Sequence, residues 1–307
     1  MKKECLGLAV AAAGLLFMAA QPAKAEPITV LSTQTGATPS QQIATFDSAT
    51  PGTFGSNVTI TGLMAGDRLV GIDRRPANGL IYGVGLNGTT GRIYTINATT
   101  GVATLVSTIG VQVNGTNFGV DFNPTVDRLR LVSNLDQNLR INVDTGATLV
   151  DGNLAYAAGD TNQGANPNIT AVAYSNNFGG AGTTILRDVD SSLDIVAIQN
   201  PPNDGTLNTA LAFGFNATEI AAYDISGLTG TPYFAFVDAS GSFSNLYFFS
   251  MEGLTLIGRV GNVNGFLVDG LAAPIGAPIP EPMTMLLLGT GLAGVAARVR
   301  RGRKANS

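Results

Sequence analysis

A chain of 307 residues, 45% hydrophobic and 12% charged, with 39 glycines and recurrent Thr and Asn, has the material for a large core of turn-rich strands; this excludes a disordered or mainly helical protein. Histidine is absent and the single cysteine, Cys5, lies at the front of the chain, which excludes Ser-His-Asp and Cys-His catalysis, a disulfide in the body and ordinary zinc sites. Between Glu26 and Ala297 stand nine Arg and no Lys against 20 acidic residues, a net charge near -11 with no basic stripe, so nucleic acid is excluded as a partner.

Residues 1–25 read as an export leader: Lys2 and Lys3, an apolar run from Leu6 to Ala20, then Ala23-Lys24-Ala25 as an A-x-A cleavage site. The run is short for a membrane-spanning helix, so the signal helix is expected to be removed and the mature chain to begin at Glu26. PITVLST, QQIATF and NVTITGL follow, three strand patterns with no inner strand before them.

The body then repeats. GIDRRP (71–76) recurs as GVDFNP (119–124), LIYGV (80–84) as LRLVS (129–133), and RIYTI (92–96) as LRINV (139–143). Thr100-Gly101 and Thr145-Gly146 turn each unit into a fourth short strand. Weaker copies start at AVAYSN (171–176) and IAAYDIS (220–226). With Asp73, Asp121, Ala173 and Ala222 taken as equivalent, the spacings are 48, 52 and 49, and a four-stranded unit near 50 residues is the mark of a propeller blade.

The second unit concentrates charge. Alternation puts Arg128 and Arg130 on one strand face, with Arg140 on a neighbouring strand and Asp121, Asp151 and Asp160 nearby. Two readings stay open: a polar pocket gripping a carboxylate or a sugar, or turn-capping by Asp73 and Asp121 with Arg–Asp pairs that finish blade packing. The segment from 151 to 168, rich in Gly, Asn and Asp, reads as a long loop of the kind that often carries function. Its Asp151, Asp160 and Asn162 are oxygen ligands of the type calcium takes, but their spacing matches no calcium loop, so no metal ligand set is assigned and no cofactor is expected beyond that one candidate.

FLVDGLAAPI (266–275) supplies one further inner strand, which joins the three N-terminal strands as a fifth blade closed by both termini. The expected fold is therefore an all-β propeller of five four-stranded blades over residues 26–276, with a sorting tail at 277–307. GIDRRP with LIYGVG, FGVDFNPTVDRLRLVSNLDQNLRINVDTG, YAAGDTNQGANPNITAVAYSNN and PPNDGTL resemble, across nearly the whole body, a bacterial family known only as a domain of unknown function. That resemblance implies no activity.

In the tail, Pro280-Glu281-Pro282 precedes an apolar segment, Met283 to Ala297, and an Arg cluster. The three parts in that order resemble the PEP-CTERM sorting signal of Gram-negative bacteria, which implies recognition by an exosortase-type membrane protease. Fifteen residues span about 22 Å of helix, short for a permanent anchor; the resemblance implies that passage through the inner membrane is transient, with removal of the tail and display at the cell surface or release. Because such sorting systems accompany exopolysaccharide production, the resemblance implies a surface-sorted binding or structural module of the extracellular polysaccharide matrix; the alternative is a secreted carboxylate-dependent enzyme acting on surface glycans. Two Asp or Glu carboxylates converging in one concave pocket about 5 to 9.5 Å apart would favour the enzyme.

Overall fold

A computed structural model describes residues 25–277 apart from 37–39 and 251–252. The leader as far as Lys24, and the tail with Pro280, Glu281, Pro282 and the apolar segment, lie outside the described residues. Among the described residues no helix is long and apolar enough to cross a membrane.

The strands run in chain order through five sheets. β1 (Pro27–Gln34), β2 (Ser40–Asp47) and β3 (Phe54–Thr59) open the chain. Blade 1 is β4 (Arg68–Arg74), β5 (Ile81–Asn87), β6 (Thr90–Ile96) and β7 (Ala103–Gln112); blade 2 is β8 (Phe118–Asn123), β9 (Arg128–Ser133), β10 (Asn138–Ile141) and β11 (Thr148–Val150). Blade 3 holds β12 (Ala155–Tyr156), β13 (Ile169–Tyr174), β14 (Leu186–Asp190), β15 (Ile195–Gln199) and β16 (Thr206–Ala212). Blade 4 is β17 (Ala221–Ile225), β18 (Pro232–Val237), β19 (Ser244–Ser250) and β20 (Gly253–Arg259). The last strand, β21 (Phe266–Ala272), pairs with β1, so blade 5 has the order β21-β1-β2-β3 and is closed by both ends of the body. Each inner strand packs against the next, and β21 packs against β4. The fold is a five-bladed β-propeller, as the repeats predict.

Burial falls from the axis outward for a simple reason: an inner strand is covered by blades on both faces, whereas an outer strand meets water. β8, β13 and β17 are buried almost throughout, while β3 alternates half-buried and exposed residues. The core is correspondingly divided into five apolar clusters, one at each seam between blades. The Thr-Gly turns press on the outer strand of the preceding blade. Gly101 (φ 73°) and Gly146 (φ 75°) sit where an added Cβ would meet Thr59 O at 2.2 Å and Thr108 O at 1.9 Å, so glycine is required twice over, by conformation and by space.

Two expectations need correction. Blade 3 has five strands, because β12 from the supposed loop pairs in parallel with β16 at its outer edge. Leu154 and Tyr156 of that segment are buried in the seam between blades 2 and 3. The second correction concerns register: the side-chain partners described below place Asp224, not Ala222, at the position of Asp73 and Asp121.

Candidate functional site

The propeller axis is built from one short pattern used five times. Gly71, Gly119, Ala171, Ala222 and Gly270 line the narrow part of the channel together with the residue that follows each of them, and the free volume there is about 10 Å³. Only small residues fit: an added Cβ on Gly71 would lie 2.6 Å from Val120 Cγ2, and one on Gly119 would lie 2.8 Å from Val172 N. Two positions further along each inner strand stand Asp73, Asp121, Ala173, Asp224 and Ala272. The three acidic side chains reach across to the next inner strand. Asp73 Oδ2 accepts from Phe122 N (2.7 Å), Asp121 Oδ1 from Tyr174 N (3.2 Å) and Asp224 Oδ2 from Ala273 N (2.6 Å). They therefore do not cap turns but join blade 1 to 2, blade 2 to 3 and blade 4 to 5.

These same side chains converge. One carboxylate oxygen from each of Asp73, Asp121 and Asp224 lies within 4.8 Å of the others, and all three residues are buried. Asp73 Oδ1 also accepts from Arg74 N and Asp224 Oδ1 from Ile225 N, whereas Asp121 Oδ2 has no donor although the residue is 1% exposed. Burial, and then mutual repulsion, hold the carboxyls of Asp73 and Asp121 well above the usual carboxylate range, and burial pushes that of Asp224 up to about 7. The positive charge acting on Asp73 and Asp224 is Arg74, whose guanidinium donates to Gly79 O and Thr29 Oγ1.

The charged residues singled out in the second unit separate into four places. Asp121 belongs to the axis. Arg130, 1% exposed, donates to Tyr174 Oη, Asn138 Oδ1, Asp151 Oδ2 and Asn203 Oδ1. Arg140, opposite it in the β9–β10 register, forks onto both oxygens of Asp151 at 2.6 and 2.8 Å. This network closes the seam between blades 2 and 3. Arg128 instead turns to its own backbone, donating to Val126 O and Asp127 O, and Asp160 accepts from Thr209 N and Thr209 Oγ1, fastening the strap to β16. Asp151 and Asp160 are thus engaged with separate partners in separate places. Sequence reasoning passed over Arg75, which binds Asp127 and Asp144 with two forks and ties blade 1 to blade 2; the two acids are 52 and 69 residues away. It also passed over Asp188, fully buried in β14, neither of whose oxygens has a partner.

Two openings complete the surface around the axis. At one mouth of the channel Arg68, Asn117, Thr170, Glu219 and Asp269 line a cavity of about 200 Å³, with Arg68 3.4 Å from Asp269. Between blades 3 and 4 lies a larger cleft of about 490 Å³, walled by Val196, Ile198, Leu211, Ile225, Pro232 and Phe249. Tyr223 and Phe234, stacked with ring centroids 4.2 Å apart, also line it. Its polar lining includes Arg187, Ser175 and Asn176. Among the described residues Arg187 is the one arginine whose side chain has neither a hydrogen bond nor a ring partner. Its charge acts on Tyr223, whose hydroxyl is likewise without a hydrogen bond.

No curated protein matches the chain. Among solved structures it is similar to a structural-genomics protein of unknown function from Bacteroides thetaiotaomicron (15% identity, TM-score 0.47, 80% of this chain and 61% of that one). It is also similar to a putative 6-phosphogluconolactonase from Bacteroides uniformis (14%, TM-score 0.38, 77% and 69%) and to the glutaminyl cyclase of Myxococcus xanthus (12%, TM-score 0.41, 77% and 86%). The chain spans about three fifths of the length of the first of these. A PEP-CTERM protein-sorting motif matches residues 278–301, which marks the protein for export and sorting through the membrane to the cell surface. The repeats that make the blades and the strands that close them fall largely within residues 42–272, the stretch matched by one family model, and the chain belongs to the family described as Domain of unknown function (DUF4394).

Proposed function

We propose that this surface-sorted propeller is a binding module of the extracellular polysaccharide matrix, and that its ligand is a carboxylated sugar residue held in the cleft between blades 3 and 4. The observation that carries the reading is Arg187, a half-buried guanidinium without a hydrogen-bond partner, beside the unbonded hydroxyl of Tyr223. A guanidinium fork matches a carboxylate, and a cleft of 490 Å³ is of the size that takes a small ligand. Apolar walls suit the C–H faces of a sugar ring. Export to the surface supplies such ligands, and removal of the tail by an exosortase-type protease after passage through the inner membrane belongs to the same reading.

The test is calorimetric titration of the exported protein with acidic oligosaccharides and with neutral ones of the same length. The acidic series should bind, and Arg187→Ala should weaken binding roughly 10- to 100-fold, the worth of a charged hydrogen bond, without lowering Tm. Equal binding of both series, or of neither, overturns the proposal. Release of reducing ends during the titration would instead favour the enzyme, whose carboxyl pair the channel mouth offers in Glu219 and Asp269, the latter raised in pKa chiefly by burial.

A further inference from the structure

We infer that Asp73, Asp121 and Asp224 form a site for one hard divalent cation on the propeller axis, with calcium as its chemical type. Three oxygens of which no two are farther apart than 4.8 Å all lie within about 2.8 Å of a common point, close to the 2.3–2.6 Å at which calcium binds oxygen. Asp121 Oδ2 gives the second indication. It is buried, it has no donor, and its carboxyl lies within hydrogen-bonding reach of the Asp224 carboxyl. Two carboxylates at that range require something positive between them.

Charge points the same way. With all three carboxyls ionised the cluster carries three negative charges against the one positive charge of Arg74, so a single divalent ion that displaces the protons brings the group to neutrality. The donors are oxygen only, in a body without histidine or cysteine, which selects hard cations over zinc or copper. Ala173 and Ala272, at the same register on the other two inner strands, add no side-chain donor, which leaves the remaining ligands to backbone carbonyls or water. Because each of the three aspartates also binds the inner strand of the following blade, an ion here would tie three of the five seams at one point.

The experiment uses the full-length exported protein, purified without added metal, then stripped with a chelator and titrated with calcium chloride. Elemental analysis should find one divalent ion per chain before stripping. Calcium should raise Tm by about 5–10 °C at a hundredfold excess over Kd, and Asp121→Asn should abolish that rise. The stripped variant should be at least as stable as the stripped wild type, since it has lost a repulsion and not a packing contact. Should the variant fail to fold, the wild-type stoichiometry and calcium shift decide alone. A metal-free protein whose Tm ignores calcium, or one whose shift survives in Asp121→Asn, overturns the site; in the first case protons neutralise the cluster.

Discussion

The seam between blades 2 and 3 and the propeller axis both bury carboxylates, and they neutralise them by opposite means. In the seam, Asp151 lies between Arg130 and Arg140, and every nitrogen of the Arg130 guanidinium has an acceptor. On the axis, the protein's donors to Asp73, Asp121 and Asp224 are backbone N–H groups, and one oxygen has none. A fully partnered buried network specifies packing, whereas an under-partnered one has capacity left for something else. The difference marks the seam as structure, and it is the ground on which a binding role is proposed for the axis.

Ring closure gives the largest expected effect, because the axis exists only while β21 is in place. Phe266, Val268 and Leu271 are buried there, and at about 1.5–3 kcal/mol for each buried side chain their loss approaches the whole stability of a typical domain. Deleting 266–307 should therefore abolish cooperative unfolding, while deleting 277–307 should leave the melting curve unchanged. Equal curves would detach the axis from closure.

Next is Arg130→Met, which removes the donor to Asn138 Oδ1, Tyr174 Oη and Asn203 Oδ1 and leaves Asp151 with Arg140 alone as an ion-pair partner. About 3–5 kcal/mol should be lost in urea titrations, the usual cost of breaking a buried ion pair. Arg128→Met, on the same strand but bonded only to nearby carbonyls, should cost less than about 1 kcal/mol. A comparable loss in both would show that the network is not what closes the seam.

The smallest effect sharpens the comparison from inside blade 3. Burial holds the Asp188 carboxyl well above the usual range, while Arg130 pulls it down and Asp190 pushes it up. A raised folded-state pKa contributes stability that is complete below the unfolded value near 4 and is lost as pH rises through the folded value. Wild type minus Asp188→Asn should therefore grow less favourable from pH 4 to pH 8, by about 1–3 kcal/mol for a buried group without a partner. A difference independent of pH would mean that Asp188 is neutralised by a contact of its own.

Several features needed nothing beyond the chain itself. The recurrence of GIDRRP as GVDFNP, the Thr-Gly turns and the lone inner strand after Gly265 set the number of blades and their closure, because a blade is a local unit whose strand lengths and turns are written in its own 50 or so residues. The small-x-Asp pattern was also present, as GID, GVD and AYD, and the match of AVAY to IAAY hid the third by a two-residue slip. What tertiary structure alone decided is which of these residues meet. Asp73, Asp121 and Asp224 come together because five inner strands crowd one axis, and Arg130 reaches Asn203 because two blades share a seam. The hydrogen bonds that fix them join residues 49 to 73 positions apart, where no local periodicity records the partner. The strap at β12 was obscured for the same reason: its Gly- and Asn-rich sequence is that of a loop, and only the exposed edge of β16 makes it a strand.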